Sequence, residues 1–242
     1  MYEPRFYRNW VQDRELVSYE VVVKETDLFI RTLTDLSKKI IPAVIKYRSL
    51  IEKYIECNPE FKSSLLPLKQ DVKAPDMIRD MISCSAKAGV GPMAAVAGII
   101  AEYTGKSINK HSEEIIIENG GDIYISSRKD RIVGIYAGEL SPFTGKIGIR
   151  ITPGKTPLTI STSSGVVGHS LSFGTADAVI VLSKSGALSD AVATAAGNLV
   201  KTEQDINTGI EFAGKIRGIS GIVIIKNDKI GMSGDIEITR II

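Results

Sequence analysis

The chain has 242 residues, 43% of them hydrophobic and 24% charged, and a formal net charge of +2 at pH 7. These values are typical of a folded globular protein and argue against a disordered or coiled-coil chain. The small, interspersed charge also lacks the basic footprint of a nucleic-acid-binding protein. All 22 glycines lie after residue 88. Because glycine serves positions of positive φ or close backbone approach, we expect the functional site in the later part of the chain.

Composition also constrains the compartment and the kind of metal site. The N-terminal residues contain no apolar segment of the secretory type. The longest apolar run, 93–101, is far shorter than the roughly 20 residues that span a bilayer. Two cysteines without CxxC spacing and two histidines provide neither a disulfide framework nor an imidazole-rich centre, so a metal would be a hard cation on carboxylates. We therefore expect a cytoplasmic protein that binds neither a membrane nor nucleic acid.

Strands followed by a helix are predicted for the N-terminal part. Residues 5–32 contain three β-rich pieces, RFYRNWV, LVSYEVVVKE and DLFIRTL. From Thr34 to about residue 56, apolar residues recur with helical spacing, and Thr34 or Asp35 is a candidate N-cap. Pro42 lies inside this stretch. Because proline lacks an N–H and clashes with the preceding turn, we expect it to kink the helix or divide it in two.

Two further helices are predicted around the first glycines. The first covers residues 74–88, APDMIRDMISCSAKA. The second covers residues 92–105, PMAAVAGIIAEYTG, with Pro92 at its first position and Gly105 as its C-cap.

After residue 113 the pattern changes to strands and then to two more helices. The predicted strands are EEIIIEN and GDIYIS, which flank one turn, and RIVGIYAG, IGIRIT, LTIST and DAVIVLS. The predicted helices are LSDAVATAAGNLVK and EQDINTGIEFAGKI, and a closing hairpin turns at Asn227 and Asp228. Grouped strands with later helices favour an α+β fold, with an antiparallel or mixed sheet and helices on one face. We expect a single domain over 1–242, with strands in 1–33, a helical segment in 34–110 and a glycine-rich part in 113–242.

The first candidate site is the turn between two predicted strands, formed by Asn119, Gly120, Gly121 and Asp122. Asn-Gly between β-rich runs is the ordinary signal of a two-residue hairpin. Alternatively, the paired glycines bring bare backbone against a ligand, and Asp122 offers a carboxylate beside it.

The second candidate is the pair Asp190 and Thr194, which lie four residues apart and share one face near the start of a predicted helix. An aspartate in a first helical turn is usually a cap or a partner of the helix dipole. The surrounding alanines and glycine are small enough for a ligand to lie against this face.

The third candidate is the hydroxyl-rich run Ser161, Thr162, Ser163, Ser164 and Gly165, followed by His169. Such runs are commonly solvated turns. As a functional segment, the hydroxyls would cradle phosphates and His169 would act as a general acid or base. No G-x-S-x-G elbow surrounds these serines, which argues against a serine nucleophile.

The fourth candidate is Cys84, which precedes Lys87 and a glycine-rich joint at a helix start. A lone cysteine is commonly a small buried hydrophobe. A nearby lysine and a helix start would instead lower the pKa of the thiol and expose it, which makes Cys84 a candidate catalytic residue. Cys57 is a second candidate of this kind.

The segments IIIENGGDIYI, STSSG with a following histidine, and SDAVATAAG, with the terminal hairpin, resemble the ApbE superfamily of flavin transferases in order and spacing. That superfamily carries N-A-G-G-D-I, S-T-S-G, H-x-x-D-P-x-T-G and A-D-A-L-x-T-A motifs. The segment GVGPMAAVAGIIAE followed by IENGGDIYI is more specifically similar to uncharacterised protein family 0280, a mostly archaeal and bacterial group of that superfamily. The resemblance covers about residues 80–242.

The resemblance implies an ApbE-like, T-fold-related fold with a cleft for FAD, FMN or another phosphate-bearing ligand. Asp190 and Thr194 match the superfamily's Mg²⁺-binding positions, and residues 119–122 match its Gly-Gly-Asp motif. Where the transferases carry H-x-x-D-P-x-T-G, residues 169–177 read HSLSFGTAD. This segment keeps His169 but loses the Asp-Pro pair, so the resemblance implies the fold and the cleft more directly than the transfer reaction.

Two other functions are compatible with the sequence. One is a persulfide carrier in sulfide assimilation, with Cys84 or Cys57 as the reactive thiol. The other is a non-enzymatic oligomeric module whose glycines serve packing alone. We also expect a homo-oligomer, because isoleucine-rich sheet proteins often cover apolar faces by pairing.

Overall fold

The structure is a computed structural model that describes residues 15–165 and 173–241. The predicted strand RFYRNWV lies outside these residues. The strands are β1 (Val17–Val23), β2 (Thr26–Thr32), β3 (Ile115–Asn119), β4 (Asp122–Ser126), β5 (Arg131–Gly134), β6 (Ile147–Ile151), β7 (Leu158–Ser163), β8 (Ala178–Ser183), β9 (Ile219–Lys226), β10 (Lys229–Gly234) and β11 (Ile238–Arg240). The helices are α1 (Ser37–Cys57), α2 (Glu60–Ser63), α3 (Asp76–Ala88), α4 (Val96–Ile108), α5 (Gly186–Leu199) and α6 (Ile206–Gly214).

The strands form two antiparallel sheets. The larger sheet has the order β1-β2-β3-β4-β7-β8-β9-β10, and the smaller has the order β11-β6-β5. Neighbouring strands are antiparallel throughout both sheets. The predicted α+β class is confirmed, and the sheets are antiparallel rather than mixed.

The larger sheet is covered on both faces. Strand β9 shows the arrangement, since successive side chains of a strand point to opposite faces. Ile222 and Ile224 pack in the core that contains the helices, whereas Val223 and Ile225 pack in a second core with residues of the smaller sheet. The helices therefore lie on one face, as predicted, and the smaller sheet covers much of the other.

The first long helix is not divided at Pro42. Helix α1 runs without interruption from Ser37 to Cys57. Pro42 lies within its first two turns, and the loss of one backbone donor there does not end the helix. The predicted division is wrong. The predicted N-cap, Thr34 or Asp35, is also wrong, because the N-cap is Leu36, which makes no side-chain capping hydrogen bond, although Asp35 Oδ1 accepts one of 2.7 Å from the Ser37 N–H.

The prediction that Gly105 ends a helix is also wrong. Pro92 opens a short 3-10 turn, Pro92–Ala95, that leads into α4, and α4 continues through Gly105 to Ile108. A Cβ atom at position 105 would lie 2.1 Å from Cδ1 of the buried Tyr124. This glycine therefore serves the packing of α4 on the sheet.

Within the described ranges, no single helix is both long and apolar enough to cross a membrane. The pair Asp76–Ala88 and Pro92–Ile108, bent by 105° at its joint, satisfies length and composition only when taken together.

Helices α4 and α5 cross at two glycines and cap each other. A Cβ atom on Gly98 would lie 2.3 Å from the Gly186 carbonyl oxygen, and one on Gly186 would lie 2.3 Å from the Gly98 carbonyl oxygen. Asp190 of α5 accepts a hydrogen bond of 2.9 Å from the Gly98 N–H, and Glu102 of α4 accepts one of 2.7 Å from the Gly186 N–H. Each glycine is thus followed four residues later by the carboxylate that binds the other helix.

We predict that Gly98→Ala destabilises the protein. The new methyl group would clash with backbone atoms, which cannot move aside without disturbing the helix. We therefore expect the free energy of unfolding to fall by about 1–3 kcal/mol or more. Gly214→Ala is the matched control, because Gly214 is also helical and a Cβ there would meet nothing within 4 Å. Urea denaturation measures both variants. Equal stabilities for the two variants would contradict the close crossing.

Candidate functional site

An open cleft of about 630 Å³ lies at one end of the larger sheet. It is bounded by the β3–β4 turn, the start of α4, one face of α5 and the end of β7. Polar residues of these elements share the cleft with an apolar wall that includes Leu65, Val90, Met93, Val96, Val133 and Ile135. The cleft therefore offers a polar floor beside a large apolar surface.

The Gly-Gly turn is both a hairpin turn and part of the cleft. Asn119 pairs with Asp122 across β3 and β4, and the two residues between them have φ values of 66° and 102°. Such angles are those that favour glycine in a two-residue hairpin. Asn119 donates a hydrogen bond of 3.0 Å to the Ala97 carbonyl oxygen, which ties the turn to the start of α4. The predicted hairpin is confirmed, and the whole segment 119–122 lines the cleft.

Asp190 lies on the cleft wall one turn into α5. Its own helix is capped by Ser185, whose side chain accepts from the Leu188 N–H, so Asp190 is not the cap of α5. It binds the start of α4 instead, through the hydrogen bond with Gly98. Burial raises the pKa of Asp190 to about 7, against a lowering by the backbone N–H groups of Gly98 and Ala97.

Asp122 is the second carboxylate of the cleft wall and is buried. Burial raises its pKa well above the usual value, and the charge of Asp190 raises it further, against a lowering by a hydrogen bond with Ser161. Among the described residues, its Oδ1 atom has no hydrogen-bond partner. The two aspartates, 68 positions apart in the sequence, thus interact through their charges.

Most of the hydroxyl-rich run lies in a strand, and only part of it lines the cleft. Ser161, Thr162 and Ser163 belong to β7, so the interpretation as a solvated turn is wrong for them. Residues 162–164 line the cleft, but Ser161 is fully buried and lies 2.7 Å, Oγ to Oγ, from Ser189 of α5. A Cβ on Gly165 would lie 2.3 Å from the Gly174 carbonyl oxygen. His169 lies outside the described residues.

Neither cysteine is among the cleft-lining residues. Cys84 is buried, and its Sγ lies 3.8 Å from Ser185 Oγ. Burial raises the pKa of its thiol, and the Ser185 hydroxyl and the charge of Lys87 only partly oppose this. The expectation of an exposed thiol with a lowered pKa is therefore wrong for Cys84. Cys57 is exposed, at the end of α1.

Sequence reasoning missed two charged residues of the cleft, Glu118 and Lys62. Glu118 accepts a hydrogen bond of 2.8 Å from the Gly121 N–H and thereby holds the turn. The sequence did offer a signal for Glu118, because a glutamate that follows three isoleucines in the predicted strand IIIEN is an unusual charged residue in a buried strand. Lys62 comes from the short helix α2, and no local pattern places α2 beside the cleft.

The cleft is acidic. Its lining carries three carboxylates, Glu118, Asp122 and Asp190, and among the described lining residues the one ammonium is that of Lys62. Within residues 15–165 and 173–241, no group of three His, Cys, Asp or Glu side chains is placed to hold a metal ion. A cation in this cleft would therefore complete its coordination with hydroxyl groups, water or oxygens of a ligand, as Mg²⁺ commonly does.

This arrangement of sheets and helices is the ApbE-like fold. The apo crystal structure of the flavinyl transferase ApbE from Pseudomonas stutzeri matches with a TM-score of 0.59 and 11% identity, over 90% of this chain and 94% of that one. The ApbE protein of Thermotoga maritima matches with a TM-score of 0.56 and 10% identity, over 90% of this chain and 97% of that one. At these identities the likeness concerns the fold.

Sequence comparisons define the family. The family model described as AbpE bacteria matches residues 8–216. A UPF0280 protein of Methanocaldococcus jannaschii is 42% identical over 223 residues, 89% of this chain and 90% of that protein. One of Archaeoglobus fulgidus is 38% identical over 220 residues, 88% of this chain and 90% of that protein. The chain belongs to the UPF0280 family of ApbE-like proteins, which confirms the resemblance found in its motifs.

We predict that the protein without metal loses stability as the pH rises from 5.5 to 8. The raised pKa values of Asp190 and Asp122 mean that the folded state holds protons that the unfolded state has released. Stability is thus greatest when both carboxyls are protonated and falls as the pH passes through about 7. We expect the melting temperature in EDTA to fall by at least about 2–4 °C, the shift of 1 kcal/mol in a chain of this size.

Asp190→Asn keeps the hydrogen-bond acceptor and removes the titrating group. Its melting temperature is expected to change less over the same pH range. An identical slope in the variant and the wild type would show that other groups cause the pH dependence.

Proposed function

We propose that the protein binds a phosphate-bearing ligand, a flavin nucleotide such as FAD or FMN, together with a divalent cation such as Mg²⁺. Asp190 and Thr194 hold the cation, and the Gly-Gly turn and the residues 162–164 bind the ligand. The observation that carries the proposal is an acidic cleft in which the carboxylates of Asp122 and Asp190 lie together beside bare backbone. In their ionised forms these carboxylates would repel a phosphate unless a cation lay between them.

The crossing of α4 and α5 supports the position of the cation. The residue four positions after Gly98 is Glu102, and the residue four positions after that is Lys106, whose ammonium forms an ion pair with Glu102. On α5 the same spacing gives Gly186, Asp190 and then Thr194. Thr194 thus stands where the other helix carries its ammonium, and a divalent cation beside Asp190 supplies the missing positive charge.

The donor set fits a hard cation. Asp190 offers a carboxylate, Thr194 a hydroxyl one helical turn away, and both line the cleft. Mg²⁺ is usually held by one or two carboxylates with ligand phosphates and water. When bound, the cation would neutralise phosphate oxygens and orient them against the carboxylates.

The cleft also fits the rest of a flavin nucleotide. Its volume of about 630 Å³ lies within the roughly 300–1,000 Å³ of small-molecule sites. The apolar wall is suited to a planar ring, and the polar floor is suited to phosphates. That two solved structures of this fold are titled flavin transferases or ApbE proteins supports the choice of a flavin.

The alternative functions have less support. An open cleft lined by the buried Asp122 and the half-buried Asp190 argues against glycines that serve packing alone. A persulfide carrier would have to use the exposed Cys57, because Cys84 is buried and its thiol pKa is raised. The flavin transfer reaction is not part of the proposal, because its expected residue His169 lies outside the described residues. Homo-oligomerisation and a cytoplasmic location stay predictions.

Thermal shift measurements with Mg²⁺ and FAD, FMN or ADP test the proposal. At a ligand concentration of about 100 times Kd, binding stabilises the folded state by about 2.7 kcal/mol, which is roughly 5–10 °C for a chain of this length. Asp190→Asn is expected to lose the Mg²⁺-dependent part of this shift. If no nucleotide stabilises the wild type with Mg²⁺, the proposed function is wrong.

Thr194→Lys tests the position of the cation. Its ammonium would face Asp190 as Lys106 faces Glu102, so we expect a higher melting temperature than the wild type in EDTA at pH 8 and no further response to Mg²⁺. Thr194→Val is the matched control, because it removes the hydroxyl without adding a charge. It should respond weakly to Mg²⁺ and gain no stability in EDTA. A full Mg²⁺ response in Thr194→Lys would place the cation elsewhere.

A further inference from the structure

Strand β10 is the last strand of the larger sheet, and among the described residues no strand lies beyond it. A two-residue turn joins it to β9 and pairs Lys226 with Lys229. In a turn of this length the fourth residue donates its N–H to the carbonyl oxygen of the first, so the backbone of Lys229 bonds to β9. Because the bonding side alternates along an antiparallel strand, Ile230, Met232 and Gly234 point their backbone groups to the open side of the sheet.

This edge lacks the charges that commonly protect an edge strand. Between Lys229 and Asp235 the sequence is IGMSG, without a charged residue. Ile230 is 39% exposed and Met232 is 54% exposed. Strand β1, at the opposite edge of the sheet, carries Glu20 in its middle. Charged side chains within an edge strand discourage pairing with another chain, whereas an exposed apolar edge favours it. Of the two edges, β10 is therefore the one suited to pairing.

The rest of the protein holds β10 in place. The backbone N–H of Asn227, in the turn before β10, donates a hydrogen bond of 2.5 Å to Asp177, and its side chain donates one of 2.8 Å to Glu203. On the helix side, α6 lies so close that a Cβ atom on Gly231 would lie 2.4 Å from Ile206 Cγ2. A strand that is already ordered loses little conformational entropy when it pairs.

The charges at the two ends of the strand select one register for pairing with a second copy. A twofold axis brings identical strands together antiparallel and presents the same surface of each copy to the other. With the axis at Met232, this residue lies opposite the partner's Met232, and Lys229 lies opposite the partner's Asp235. Opposite charges across two strands are favourable. Asp235 also forms an ion pair of 2.7 Å with Lys155, but its side chain is 73% exposed and can accept a second cation.

We propose that β10 is a self-association surface, which pairs antiparallel with β10 of a second copy across a twofold axis at Met232. The two eight-stranded sheets then form one continuous sheet. The Met232 side chains of both copies lie side by side next to the smaller sheets, because Met232 pairs with Val223, a residue of the second core. The proposal does not depend on the proposed function, since within the described ranges no residue of β10 lines the cleft.

Sedimentation equilibrium of the purified full chain tests the surface. We expect the wild type to have the mass of two chains. Met232→Lys would place two ammonium groups opposite each other at the axis, so we expect it to have the mass of one chain. Val22→Lys is the matched control, because Val22 is 62% exposed and lies on β1, at the other edge of the sheet. It should keep the mass of the wild type. Circular dichroism checks that both variants fold.

Disulfide formation tests the register. The background is Cys57→Ser, which removes the exposed thiol. Met232→Cys then places two Cα atoms about 5.5 Å apart, within the roughly 4.4–6.8 Å that a disulfide spans, so mild oxidation should yield a covalent dimer on a non-reducing gel. Ile230→Cys is the matched control. Ile230 lies opposite the partner's Gly234, about 14 Å along the strand from the partner's Ile230, and should stay uncrosslinked.

Three results would contradict the proposal. If the wild type has the mass of one chain, β10 does not pair with itself. If it has the mass of two chains and Met232→Lys does not separate them, the interface lies elsewhere. If Ile230→Cys forms the covalent dimer and Met232→Cys does not, the register is wrong.

Discussion

The site depends on the crossing of α4 and α5, where two helices approach so closely that neither tolerates a Cβ atom at the contact. Gly98 and Gly186 each face the other's carbonyl oxygen, and Asp190 and Glu102 each bind the first turn of the opposite helix. Four backbone and side-chain groups thus fix one relative position of the helices. Because both helices pack on the larger sheet, this crossing also fixes where their ends meet the β3–β4 turn.

The two ends of the crossing differ in charge. Glu102 has an ammonium beside it, from Lys106, whereas Asp190 has Thr194 at the corresponding position and Asp122 nearby. Without a cation, the pair of aspartates is costly, because burial and mutual repulsion disfavour the charged forms. Carboxyl groups with pKa values raised in this way are common at functional sites. The carboxyl group that joins the two helices thus also lines the cleft, and its own helix does not supply the ammonium that Lys106 supplies to Glu102.

The glycines after residue 88 fall into three groups. Gly98, Gly105 and Gly186 allow helices to approach backbone or a ring closely, whereas Gly120 and Gly121 supply the positive φ values of a turn that lines the cleft. A third group, which includes Gly154 and Gly214, has open space around it. The expectation that glycines mark the functional part of the chain stays a prediction, and the two glycines of the turn are among those that line the cleft. The helical glycines Gly98, Gly105 and Gly186 are explained by close packing. That packing affects the site only indirectly.

The sequence by itself determined what short-range physics controls. Turn chemistry, hydrophobic periodicity and local spacing predicted the hairpin at Gly120 and Gly121, most of the strands and the helices α3, α4 and α5. The family was indicated by the resemblance of the motifs. Tertiary structure decided what depends on distant partners. It joined Asp190 to the start of α4, turned Ser161 away from the cleft, buried Cys84 and continued α4 through Gly105 because Tyr124 fills the space beside it. These outcomes depend on which surfaces pack together. The burial and the charge environment at such contacts cannot be predicted from the spacing of residues along the sequence, because the partners are distant in the chain.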